Sequence, residues 1–158
     1  MMLQFKKLML PAVLASLGIC ATANAEKALM SSAEMEAIAT HMIVGKVNAI
    51  YSRLDRKGNY EYTRHVAEVK VDEVEKGKEV GRNDLVYVRY FTIKWIGKGQ
   101  MPPGPGSHWP QPKRNETLRF YLAKNAYDGF TRANNDGGYN VIYVNGCERL
   151  ERTKKVNP

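Results

Sequence analysis

The sequence predicts a mostly β protein: five strands closing into a small Greek-key barrel, with one short N-terminal helix and one long loop rich in proline and glycine. Three observations predict it. Apolar and polar residues alternate with a period of two over several runs, so that one face of each is wet. The same runs are rich in valine, isoleucine, tyrosine and phenylalanine, and glycine and asparagine separate them at turn positions. A helix start is signalled at one place, near residue 31.

Residues 1 to 25 are read as a leader. Lys6 and Lys7 precede an apolar run from Leu8 to Ile19, and small residues with the A-x-A pattern end at Ala25, which predicts cleavage before Glu26. The run is about a dozen residues, short of the roughly 20 that cross a bilayer as a helix, and no later run is as long. The expected destination is periplasmic or extracellular, with no transmembrane segment. An alternative is a lipoprotein acylated at Cys20, although Ile19 stands where such signals carry a small residue.

Cleavage would remove two lysines and no acid, taking 24 basic residues to 22 against 16 acidic ones and the formal charge from +8 to +6. A positive surplus favours encounter with anionic polymers, glycans or acidic faces of an envelope protein. Nucleic acid is not among the expected partners. Of the two cysteines only Cys147 would remain, so no internal disulfide is expected and burial must hold the domain together.

The elements follow in order within one domain spanning 26–158, its core at about 30–151. Ser31 and Glu34 have capping-box spacing, which predicts a helix over 31–39. His41 to Tyr51 predicts a buried strand that bends or bulges at Gly45. Ser52 begins a polar tip that ends in the turn Arg56-Lys57-Gly58-Asn59. Tyr60 to Val74 predicts a second strand, with Ala67, Val69 and Val71 inward and Arg64, Glu68, Lys70 and Asp72 outward. Asp84 to Thr92, Thr117 to Ala123 and Tyr139 to Val144 complete the set, with a polar tail after Gly146. Five such strands are enough to close a barrel, which hides strand edges; an open sandwich is the alternative.

The stretches "IVGKV" at 43–47, "VKVDEVEKGKEV" at 69–80, "DLVYVRY" at 84–90 and "ETLRFYL" at 116–122, led by the short helix, resemble small exported bacterial proteins. Their OB-like barrel is similar to the netrin-like module of metalloproteinase inhibitors. Val74, Lys76 and Gly77 match the valine-rich strand end and lysine-glycine turn of that group. The resemblance implies the fold alone. The inhibitors approach the protease metal with an N-terminal cysteine, and this chain has none near Glu26.

The segment from Lys94 to Asn115 carries the functional expectation. It holds five of the seven prolines and both tryptophans, and Lys94, Lys98, Lys113 and Arg114 flank Trp95 and Trp109. A structureless loop of about 20 residues inside a compact domain is uncommon and more often functional than neutral. Aromatic plates beside cations suit sugars or an anionic surface. In the competing reading, Trp95 and Trp109 cap the barrel and fold the loop back on it.

His108, Met101 and Cys147 form a soft donor set of copper type, for which His41 or His65 could supply a second histidine. In the competing and simpler reading each sits singly, on a strand surface or in a satisfied core position. Asn125 to Asp128 and Asn134 to Asp136 are read as glycine-assisted turns, not as a calcium loop. There is no G-x-S-x-G, H-E-x-x-H or phosphate-cradling glycine loop, and Gly146 and Glu148 give Cys147 no thiolate-favouring surroundings. The expectation is a binding module without enzymatic activity or cofactor, with a metal or redox protein and an assembly module as alternatives.

Overall fold

The computed structural model describes residues 29–102, 106–124 and 138–150. The leader predicted at 1–25 with its Cys20 alternative, the Asn/Asp turns predicted at 125–136 and the tail from 151 lie outside the described residues. Those described are mostly β. Helix α1 (Ser32–Ile38) is followed by β1 (His41–Lys57), β2 (Tyr60–Lys76), β3 (Leu85–Trp95), β4 (Thr117–Lys124), β5 (Tyr139–Val141) and β6 (Cys147–Arg149).

Strands β1 to β5 form a ring in the order β1-β2-β3-β5-β4, and β4 returns beside β1. All pairings are antiparallel except the short parallel contact of β3 with β5. Period-two alternation fills the interior. Val69 and Val71 of β2, Val86 and Val88 of β3, and Leu118 and Phe120 of β4 are buried in one cluster with Ile43 and Val47. Each such side chain contributes about 1.5–3 kcal/mol on full burial.

Gly45 sits where β1 shifts register against β2, as the sequence predicts. A Cβ there would lie 2.5 Å from Val69 Cγ1 and 2.7 Å from the Lys70 carbonyl oxygen, so only glycine lets the strands approach. Outside the ring, α1 covers β1 and β4: Met35 and Ala39 pack on Met42 and Tyr121. This second small core explains why Tyr121 is buried between the inward residues Phe120 and Leu122.

Three features differ from the sequence reading. The polar stretch from Ser52 is strand, because Ile50 to Lys57 pairs with Ala67 to Tyr60 in unbroken register around the turn at Gly58 and Asn59. β3 likewise runs to Trp95, opposite Tyr60. β1, β2 and β3 therefore extend beyond the ring as a three-stranded arm. Third, β5 ends at Val141, where Tyr143 takes a positive φ of 52° and turns the chain, and the predicted tail begins with β6 on the same edge of β4 as β5.

Candidate functional site

The segment between β3 and β4 starts at the far end of the arm. Trp95 meets Tyr60 edge-to-face at 4.9 Å, and its indole N–H donates to the Gly99 carbonyl at 3.2 Å. The Ile96 N–H donates to the Asn59 carbonyl, which ties the segment's first residue to the hairpin tip. Trp95 is thus half-buried in the arm's own packing, with Lys94 and Lys98 exposed beside it in sequence.

The second half of the segment comes back along β3. The Ile93 N–H donates to Ser107 Oγ at 2.7 Å, and the His108 N–H donates to the Phe91 carbonyl at 3.0 Å. These contacts cover the edge of β3 that β5 is too short to reach. A free edge invites pairing with other chains, so this strap closes one side of the arm. The Pro/Gly segment does not stand clear of the sheet as a whole, because backbone and side-chain hydrogen bonds fasten Ser107 and His108 to it.

His108 is the centre of the strap. It is buried against Phe91, ring centroids 4.4 Å apart at 88°. The Phe91 N–H donates to Nδ1 at 3.2 Å, which leaves Nε2–H to donate to the Val141 carbonyl at 3.4 Å. Burial holds the imidazole below its ordinary pKa and keeps it neutral. Both ring nitrogens are therefore taken by backbone groups.

Trp109 follows directly and behaves differently. Its N–H donates to the Val144 carbonyl, and the bond to Pro110 is cis. His108, Pro110 and Pro112 are buried, whereas Trp109 is 66% exposed. An indole held in water between three buried neighbours is a plate fixed by its backbone. Exposed Lys113 and Arg114 follow it at a turn secured by Asn115, whose N–H donates to the Val47 carbonyl.

The six residues singled out from sequence are thus split. Lys94, Trp95 and Lys98 belong to the end of the arm; Trp109, Lys113 and Arg114 belong to the return path. About 13 Å of strand separates Trp95 from Phe91, where the return path is pinned. Tyr60, the partner of Trp95, and Ser107, the anchor of the strap, escaped the sequence reading. Tyr60 and Tyr62 at a spacing of two beside a turn were the available signal.

The soft donors are dispersed in role. Cys147 is buried in the ring cluster, and burial pushes its thiol far above the ordinary value. Met101 is exposed. His65 stacks on Tyr90 at 4.6 Å and bonds Ser52 and Thr92, and His41 packs edge-to-face on Tyr139. Among the described residues no three His, Cys, Asp or Glu side chains gather as a metal site.

Comparison with protein-family models, with curated proteins and with solved structures yields no match.

Proposed function

We propose that the chain is an exported, non-enzymatic binding module with an OB-like Greek-key barrel, and that it takes an acidic glycan on the return path of its long segment. The observation that carries the reading is Trp109, exposed while His108, Pro110 and Pro112 beside it are buried. An indole offers a flat apolar face to a sugar ring, and Lys113 and Arg114 supply charge for carboxylate or sulfate groups. Placement of β4 beside β1, after three consecutive antiparallel strands, supports the Greek-key part of the reading. The leader at 1–25 supports export.

The two tryptophans separate under test. On an array of sulfated, uronic-acid and neutral oligosaccharides, Trp109→Ala is expected to lose binding with the melting temperature within about 2 °C of the parent, as befits an exposed site. Trp95→Ala is expected to lower stability by about 1–3 kcal/mol through lost packing on Tyr60. Undiminished binding of acidic oligosaccharides by Trp109→Ala sinks the proposal.

A further inference from the structure

The strap of Ser107 and His108 covers one side of the arm, and the opposite side is the outer edge of β1. β4 pairs with β1 only from His41 to Lys46, with the Val47 backbone bonded to Asn115 and Glu116. Among the described residues nothing pairs with that edge from Ile50 to Lys57. The stretch is regular: every register shift of β1 lies before Ile50, and it contains no proline and no glycine. Tyr51 and Leu54 are exposed there, at 56% and 52%. A straight, unbulged edge is a template for another strand.

Its charges choose the partner. Natural edges use charge to repel neighbours, but charge repels only in the wrong register. Two copies of β1 can meet antiparallel about a twofold axis, and alternation of faces requires the axis to pass between equivalent residues. With the axis at Leu54, each Arg53 lies opposite the second copy's Asp55, Tyr51 lies opposite Lys57, and the two Leu54 side chains meet. With the axis at Arg53 or at Asp55, that charge would face its own copy. With the axis at Ser52, Arg53 faces Tyr51 and Asp55 faces Ala49, so neither charge finds its opposite. The Arg53 side chain is 82% exposed and lies 3.5 Å from Asp55 within its own strand, so the two charges already stand together on one face.

We propose that the free edge of β1 pairs antiparallel with a second copy of this chain, centred on Leu54, joining two three-stranded arms into one six-stranded sheet. This does not rest on the glycan reading, whose carrying residue is Trp109 on the return path.

Charge reversal tests the register. The measurement is the dimer dissociation constant of the purified protein by sedimentation equilibrium, with circular-dichroism melting to verify that each variant folds. Arg53→Asp and Asp55→Arg each place two like-charge pairs in the interface because of the twofold axis. Each is expected to weaken the dimer by at least about tenfold. The double reversal R53D/D55R restores opposite pairing and should return the constant to near its original value, while keeping an acid beside Arg64, which pairs with Asp55 at 3.2 Å. A parent protein that stays monomeric at every concentration overturns the proposal. So does a dimer indifferent to the single reversals, or a double reversal that fails to rescue.

Discussion

At His108 three requirements meet in one side chain: it fills space against Phe91, accepts from one strand and donates to another. Removing it would leave the Phe91 N–H and the Val141 carbonyl without that partner and open a cavity. We therefore expect His108→Ala to cost about 2–4 kcal/mol in urea unfolding. If the loss instead stayed below about 0.5 kcal/mol, the range of exposed sites, the strap would be ornamental. The sequence displayed this histidine in a segment that resembles a binding loop, and nothing in the one-dimensional pattern marks both nitrogens as occupied by backbone. Trp109 was legible as a candidate plate; that its neighbours Pro110 and Pro112 are buried was not. Cys147, which the sequence offers as a soft metal donor, is instead buried in the ring cluster as a small hydrophobe.

Among the elements, α1 shows local signals at their strongest. Ser31 Oγ accepts from the Glu34 N–H at 3.3 Å, and the Ser31 N–H donates to the Glu34 carboxylate at 2.8 Å. The helix is only seven residues, too short to persist alone, so the cap and the packing of Met35 and Ala39 on Tyr121 support each other. Ser31→Ala is expected to lower global stability by about 1 kcal/mol, read from the denaturation midpoint at unchanged slope. An unchanged midpoint would mean that α1 does not hold the outer core. The strands were legible in their inward apolar residues, valines in β2 and β3 and Leu118, Phe120 and Leu122 in β4, which is why all three were found close to their observed bounds. The distal half of β1 was misread because alternation reveals a strand only where one face is buried. On the arm Arg53, Asp55 and Lys57 face water on one side and Ser52 and Arg56 on the other, leaving no contrast between faces.

For the molecule as a whole, the histidines set the response to acid. His41, His65 and His108 all sit below the ordinary value of 6.5, with burial as the leading cause; Glu79 partly offsets it at His41, where Lys124 adds to it. Above that pH both folded and unfolded chains hold neutral imidazoles, and this source of stability is complete. As pH falls below 6.5 the unfolded chain takes protons that the fold refuses, so stability declines until the folded values are reached. Glu34, lowered by Ser31, and Glu79, lowered by Lys124, add a second loss below their ordinary 4.5. The urea midpoint should be level down to about pH 7 and then fall toward pH 5. A midpoint that held or rose over that interval would contradict the buried placement of these rings.

The ring itself is unevenly joined. Among the described residues β3 and β5 pair at Val88 with Tyr139 and at Arg89 with Asn140, whereas β1 and β2 are zipped from Met42 to Lys57. A ring of strands with one short seam opens at that seam. Thermal breathing that parts β5 from β3 would admit water to the Val88 side of the interior while the long hairpin stayed shut, so the first excursion from the native state is a hinged flap and not a general loosening.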